Sequence, residues 1–267
     1  MTQRDDTKRL RVLQLTDPHL MADPQGRLLG INTRDSLDAV IAQVRQERPE
    51  PDLVLVTGDL AQDASESAYR ELSRKLSVFD GPVLWMSGNH DDSGLLGRLA
   101  GPDASCKHLI AGGWQFVLLD SSVHRKVHGH LTETELAFLE TTLSENEPLP
   151  TLVALHHHPV DIGSGWMDNI GLKNRDAFWQ VLDRFPQVRV VLWGHIHQEW
   201  DQVRNGVRLL ATPSTCIQFK GGSDDFAVDE LAPGYRWFEL LPSGAVETEV
   251  GRTSGFAFEP DVNSTGY

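Results

Sequence analysis

Apolar residues in this chain come in short, nearly unbroken runs, and most of the runs end on a polar residue. The first, Arg11-Val12-Leu13-Gln14-Leu15-Thr16-Asp17, reads as a β-strand, and Pro18, Pro24, Gly26 and Gly30 mark the loop after it. Helical spacing follows at Leu37, Val40, Ile41 and Val44, with Thr33 placed to cap the helix and Pro49 to stop it. Asp52 to Asp59 is apolar on both faces, as a parallel strand covered by helices would be. These three segments make a βαβ unit.

The alternation then repeats. Ser65 to Phe79 reads as a helix, Pro82 to Met86 as a strand, and Ser87-Gly88-Asn89-His90-Asp91 as the loop leaving it. A strand over Trp114 to Leu119 ends at Asp120, and a helix over Thr132 to Ser144 opens with a Thr132/Glu135 capping-box pattern. Thr151 to Leu155 leads into His156-His157-His158-Pro159. After a helix over Asn174 to Phe185, Val188 to Trp193 leads into Gly194-His195-Ile196-His197. Beyond Gln198 the pattern changes to β-type runs joined at Asn205-Gly206 and Ser243-Gly244, the signature of hairpins. Periodicity thus gives an α/β chain. With no linker-like stretch, its 267 residues parse as one domain: a core over 10–198, hairpins over 199–250 and a tail over 251–267.

Composition narrows the function. Hydrophobic residues are 40% and charged residues 23% of the chain, enough for a sizeable core, which excludes wholesale disorder. A formal net charge of −14 repels phosphate backbones and anionic bilayers, so neither a nucleic-acid polymer nor a membrane is an expected partner. The polar start Met1 to Arg9 and the lack of any bilayer-length apolar run lead to the expectation of a cytoplasmic protein. Cys106 and Cys216 form no metal or redox motif and are expected as buried thiols.

In open α/β sheets, loops beyond the carboxyl ends of the strands converge on one crevice. Asp17 and His19, Asp59, Asn89 and His90, His156 or His157, and His195 and His197 stand at such ends. Gathered without compensation, the carboxylates would repel one another; divalent cations remove that cost. Carboxylate, carboxamide and imidazole donors without thiolate suit Mn, Fe(II), Zn or Co better than Ca or Mg. Even with His90 set aside, seven side chains exceed the needs of one tetrahedral zinc and suit two metals. Taken singly these residues mean less: Asp17 alone would cap a turn, and Asn89 after Gly88 would be a turn residue. His124, His128 and His130, beside Arg125 and Lys126, read as a solvated loop rather than a phosphate contact. Trp166 either stacks on a purine or packs the loop. Asp224, Asp225, Asp229 and Glu230 read as solvated surface.

In order, DxH, GD, GNHD, a His ending an apolar strand, and GHxH resemble the calcineurin-like metallophosphoesterase superfamily. The segments Leu15 to Leu20, Thr57 to Asp63, Leu155 to Pro159 and Ala211 to Cys216 resemble the bacterial class III 3′,5′-cyclic AMP phosphodiesterases within it. The resemblance implies a four-layer α-β-β-α sandwich. It also implies that Asp17, His19, Asp59 and His197 hold one metal and Asp59, Asn89, His156 and His195 the other, with Asp59 bridging and His157 the alternative in the triplet. His90 would contact the phosphate and donate a proton, with Asn89 and His197 also facing the substrate.

The implied reaction is hydrolysis of 3′,5′-cyclic AMP to 5′-AMP by a hydroxide that two cations, Fe2+ or Mn2+ ahead of Zn2+ or Co2+, generate at neutral pH. His90 would protonate the departing ribose 3′ oxygen. Other diesters, such as 2′,3′-cyclic nucleotides or glycerophosphodiesters, are the alternative substrates, and a metal-binding scaffold without turnover is the alternative of another class. A protein Ser/Thr phosphatase is disfavoured, because the Arg those relatives carry after the GD block is replaced here by Leu60-Ala61-Gln62-Asp63. The C-terminal hairpins leave a homodimer open.

Overall fold

The computed structural model describes residues 9–99, 106–146 and 148–266; the polar start before Arg9 and Tyr267 lie outside them. In chain order the elements are β1 (Leu10–Leu15), β2 (Arg27–Leu28), β3 (Ile31–Asn32), α1 (Thr33–Glu47), β4 (Leu53–Thr57), α2 (Glu66–Leu76), β5 (Val83–Met86) and α3 (Ser93–Leu99). The second half contains β6 (His108–Ala111), β7 (Trp114–Leu119), α4 (Glu133–Glu145), β8 (Thr151–Leu155), α5 (Gly165–Asp168), α6 (Arg175–Leu182) and β9 (Val188–Trp193). Then come β10 (Trp200–Arg204), β11 (Val207–Ala211), β12 (Gln218–Phe219), β13 (Val228–Asp229), β14 (Gly234–Leu240) and β15 (Val246–Arg252).

Two sheets stack face to face. One has the order β15-β14-β1-β4-β5, the other β10-β11-β9-β8-β7-β6. The central strands are parallel in both, and the antiparallel strands lie toward the edges. Alternate residues explain the stacking: Val12, Leu53, Leu55 and Leu84 meet Phe116, Leu152, Val190 and Leu192 in a core between the sheets. Their neighbours face outward, Leu13, Val54 and Val56 against α1 and α2, Val117, Val153 and Val191 against α4 and α6. The result is the expected α-β-β-α sandwich, with the parallel strands β4, β7 and β8 buried at every residue, as continuous apolar runs require. No helix among the described residues is long and apolar enough to cross a membrane.

The structure departs from the sequence expectations in its details. Asn32, not Thr33, caps α1, its side chain accepting from the Arg34 and Asp35 N–H groups. Thr132 caps α4 as expected, but Glu135 makes no return bond; its carboxylate takes Asp120 N–H and Lys107 instead. Asn174 uses its side chain on the Leu131 backbone, so α6 starts at Arg175, and it stops at Leu182 rather than Phe185. The C-terminal hairpins complete the two sheets: β10–β11 extends one beside β9, and β14–β15 extends the other beside β1. Cys216 is buried as expected, whereas Cys106 is half-buried with its thiol against the His108 carbonyl.

Candidate metal centre

The strand ends converge because the loops are laced to one another. Asp17 N–H donates to Gly58 O and His19 N–H to Asp59 O, continuing the β1–β4 pairing past the strands, and Gly194 N–H donates to His156 O. Asp17, His19, Asp59, His195 and His197 all sit at φ between +46° and +66°, a left-handed backbone that costs a non-glycine residue about 1–3 kcal/mol. That twist turns the chain sharply where each strand ends, with its side chain kept in the cluster. Glycines make room. A Cβ on Gly88 would lie 2.1 Å from Asp59 Oδ1, and one on Gly194 would lie 2.2 Å from Thr16 Oγ1.

Hydrogen bonds fix the imidazole tautomers. His19 Nδ1 faces Gln62 Oε1 at 2.7 Å, His197 Nδ1 faces Ile217 O at 2.9 Å, and His156 Nδ1 faces Thr57 O at 2.8 Å. Each partner only accepts, so each Nδ1 carries the proton and each Nε2 presents a lone pair. Those lone pairs face one another and two carboxylates. His19 Nε2 is 3.2 Å from His197 Nε2, which is 3.3 Å from Asp17 Oδ1. His156 Nε2 is 3.3 Å from Asp59 Oδ2 and 3.3 Å from Asn89 Oδ1. Facing lone pairs repel unless a cation lies between them. His195 Nε2, buried and without a hydrogen-bond partner, adds a further open donor. The donor sets Asp17/His19/His197 and Asp17/Asp59/His156 each lie within 4.8 Å, as do His19/Asp59/His90 and His156/His157/His195. Overlapping sets of this kind suit a dimetal centre, with Asp59 among the donors of two of them.

Electrostatics agree with that chemistry. Burial pushes the Asp17 carboxyl up, but His197 and His156 hold it below its ordinary range. Burial likewise opposes ionisation of Asp59, and His156, His90 and His19 together hold it well below. Burial lowers His19 to about 3 and, with neighbouring imidazoles, keeps His195 and His157 well below the usual value. His156 goes the other way: burial opposes its proton, yet Asp59 and Asp17 raise it to about 9. Asp91, pushed up to about 6 by burial and Asp59, accepts N–H bonds from Gly88, Leu60 and Ala61 and so ties the GD loop to the GNHD loop.

Asp17, His19, Asp59, Asn89, His90, His195 and His197 come together here, and in the His triplet one register reaches the carboxylates. It is His156 that faces Asp59, whereas His157 Nδ1 turns 2.8 Å from Ser121 Oγ. His158 stacks on His195 with centroids 5.7 Å apart. His90 is half-buried at the rim, its N–H on Asp59 Oδ1 at 2.9 Å and its ring 5.0 Å from that of His19. Trp166 packs edge-on against Phe219 and Phe226. His124, Arg125, Lys126 and His130 are exposed, as expected of a solvated loop, and so are Asp224, Asp225 and Glu230; His128 and Asp229 depart from that expectation, both half-buried, with His128 Nδ1 turned away from solvent. Sequence reasoning missed the residues behind the donors. Ser214 Oγ donates to Asp17 O at 2.8 Å, and Phe219 stacks on His197 at 4.3 Å. The only signal for Ser214 was the Ala211 to Cys216 segment, to which no role was attached.

The family model for calcineurin-like phosphoesterase matches residues 10–199. The chain is 44% identical over 257 residues to a Pseudomonas aeruginosa protein named 3′,5′-cyclic adenosine monophosphate phosphodiesterase CpdA, covering 96% of this chain and 94% of that one. Proteins of the same name match in Escherichia coli (strain K12), 44% identical over 97% of this chain and 95% of that one, and in Vibrio vulnificus (strain CMCP6), 40% identical with the same coverage. Among solved structures, a dimetal phosphatase from Danio rerio superposes with a TM-score of 0.66 at 17% identity, covering 92% of this chain and all of that one. A purple acid phosphatase from yellow lupin gives 0.61 at 13% identity, over 95% of this chain and 53% of that one. At these identities the two structures speak to the fold.

Proposed function

The chain belongs to the calcineurin-like phosphoesterase family, and from that premise we propose that it is a phosphodiesterase hydrolysing 3′,5′-cyclic AMP to 5′-AMP at a two-metal site. The observation that carries this is the tautomer pattern: three imidazoles tied off at Nδ1 turn their Nε2 lone pairs onto two buried carboxylates. The substrate comes from the relatives, which share 40–44% of their residues over nearly the whole chain and bear the name of a cyclic AMP phosphodiesterase.

Asp17, His19 and His197 would hold the first cation and Asn89, His156 and His195 the second, with Asp59 within reach of both donor sets. When bound, the pair supplies a hydroxide nucleophile at neutral pH and neutralises charge on the phosphoryl oxygens. The chain's own residues do the rest. Asp59 is kept ionised chiefly by His156 beside it and is oriented by the His90 backbone N–H on its Oδ1. Ser121 holds the His157 ring, and Gly129 lies against it so closely that an added Cβ would come within 2.5 Å. The triplet is thereby fixed with His156 toward the carboxylates. His90, half-buried at the rim, is placed to hold a proton for the ribose 3′ oxygen as it leaves. Fe2+ or Mn2+ is the proposed pair, on the grounds of mixed oxygen and imidazole donors with no thiolate among them. The proposal includes the cytoplasmic placement expected from the sequence and a cyclic nucleotide as the small-molecule partner.

The test is turnover of 3′,5′-cyclic AMP beside cyclic GMP, 2′,3′-cyclic AMP and bis(p-nitrophenyl) phosphate, using metal-stripped protein with Mn2+ or Fe2+ restored. Metal-dependent release of 5′-AMP, absent in Asp59→Ala, is expected. Turnover of the chromogenic diester alone would keep the site and discard the substrate. No turnover with any metal would leave a metal-binding scaffold.

A further inference from the structure

Behind Asp17 a line of polar side chains crosses the apolar core between the sheets. Arg236, Thr212, Gln14, Thr57, Thr16 and Asp17 are each at most 2% exposed, and each is hydrogen-bonded to the next. Arg236 Nε donates to Thr212 Oγ1 at 3.2 Å, and Thr212 Oγ1 donates to Gln14 Oε1. Gln14 Nε2 donates to Thr57 Oγ1 at 2.8 Å, Thr57 Oγ1 to Thr16 Oγ1 at 2.8 Å, and Thr16 Oγ1 to Asp17 Oδ2 at 2.6 Å.

The direction of every bond is determined. A guanidinium only donates and a carboxylate only accepts, so both ends are fixed. The Gln14 amide in the middle is fixed as well, because its Nε2 also faces the Trp193 carbonyl at 3.3 Å, which needs a donor. Every hydroxyl therefore accepts from the Arg236 side and donates toward Asp17. A chain of this kind, with a cation at its head and an anion at its foot, is polarised along its length in a low-dielectric interior. The guanidinium's other hydrogen bonds go to the carbonyls of Ala211 and Trp200, so its charge is spread over neutral oxygens.

We infer that this chain assigns the two oxygens of Asp17 different tasks: both share the His195 backbone N–H at 3.1 and 3.2 Å, but Oδ2 alone takes the Thr16 hydroxyl, leaving Oδ1, 3.3 Å from His197 Nε2, as the donor toward the first metal position. Thr57 is the decisive link. The Thr16 hydroxyl has a second acceptor within reach, the Thr57 carbonyl at 3.3 Å. The bond it receives from Thr57 Oγ1 biases its proton toward Asp17. Without that bond the proton can swing to the carbonyl, Oδ2 keeps only its share of the forked His195 N–H, and the carboxylate is held more loosely. Thr57, Gln14, Thr212 and Arg236 are then positioning residues, acting on a metal through a carboxylate none of them needs to touch. This rests on Asp17 being a metal ligand.

The test measures Mn2+ retained per chain against rising EDTA in wild type, Thr57→Val, Thr57→Ser, Arg236→Met and Asp17→Asn, with thermal melts of each metal-free protein. Thr57→Val keeps the shape and loses the hydroxyl; Thr57→Ser keeps the hydroxyl. The expected result is that Thr57→Val and Arg236→Met release one of two equivalents at about 10–100-fold lower EDTA, the usual cost of removing a partner that orients a ligand, while Thr57→Ser behaves as wild type. If Thr57→Val retains both equivalents as wild type does while Asp17→Asn loses one, the chain is packing only and the inference fails. It also fails if Thr57→Ser loses metal as readily as Thr57→Val. If Asp17→Asn itself keeps both equivalents, the ligand assignment beneath the inference is what has failed.

Discussion

The two halves of the metal centre are built differently. In the Asp17/His19/His197 half every side chain is completely buried, every residue has left-handed backbone, and both imidazoles are tied at Nδ1 to protein oxygens. Ser214, Phe219 and the chain from Arg236 stand behind it. In the Asn89/His156/His195 half, His156 and His195 are also buried and His156 is also tied at Nδ1, but Asn89 is half-buried beside the equally half-buried His90, and His195 Nε2 has no hydrogen-bond partner. Buried, over-determined donors make a cage whose shape survives loss of the ion; a donor at the rim, or one with nothing opposite it, waits for the ion and the substrate to complete it. One half is therefore a holder and the other a working face, with the half-buried His90 beside it at the rim where a diester would enter.

The comparison breaks most sharply at Asp59, the residue common to both halves. Asp59→Ala is expected to remove both cations and lower turnover by more than about a thousandfold, beyond what loss of one electrostatic contact usually costs; elemental analysis with an activity assay checks it. Next in size is the contrast within the triplet. His156→Ala should cost one equivalent of metal and about a hundredfold or more in turnover, whereas His157→Ala should keep two equivalents and lose stability instead, its ring being held between Ser121 and Gly129.

A third prediction separates the halves by pH. His156 sits at about 9 against an ordinary 6.5, burial opposing the shift and Asp59 and Asp17 driving it. A raised value means that its contribution to stability is complete below 6.5 and is lost as pH rises through 9. The metal-free protein should therefore melt at lower temperature as pH climbs through that window. The loaded protein, in which a cation takes the same lone pair, should lack that slope; equal slopes in the two forms would contradict it. The smallest effect is expected from Ser214→Ala. It removes one buried bond to the Asp17 carbonyl and strands the Cys216 N–H, for about 1–2 kcal/mol of stability. Its metal release should be shifted only at the first position, as read by chelator titration.

Much of the working chemistry was legible because each piece is local. DxH, GD, GNHD and GHxH carry their donors beside the strand that positions them, and the apolar runs of β1, β4, β8 and β9 are buried on both faces, which is why they read as parallel strands. The triplet was not legible, since three identical side chains in sequence differ only in what lies opposite, here Thr57 O for one and Ser121 for the next. Nor was the support behind Asp17: Gln14, Thr57, Thr212 and Arg236 belong to different elements, and each alone reads as an ordinary polar interruption of an apolar stretch. The α1 cap was misplaced for a similar reason. Asn32 and Thr33 are both good caps, and only the backbone decides between them.

The most direct measurement is the number of Mn2+ ions bound per chain after reconstitution of wild type, His197→Ala and His195→Ala, with each metal-free protein shown by circular dichroism to be folded. Two equivalents in wild type and one in each variant, with the ion left in His195→Ala the more resistant to chelator, are the expected result. A single equivalent in wild type, or two in both variants, would contradict a two-metal centre divided between a holder and a working face.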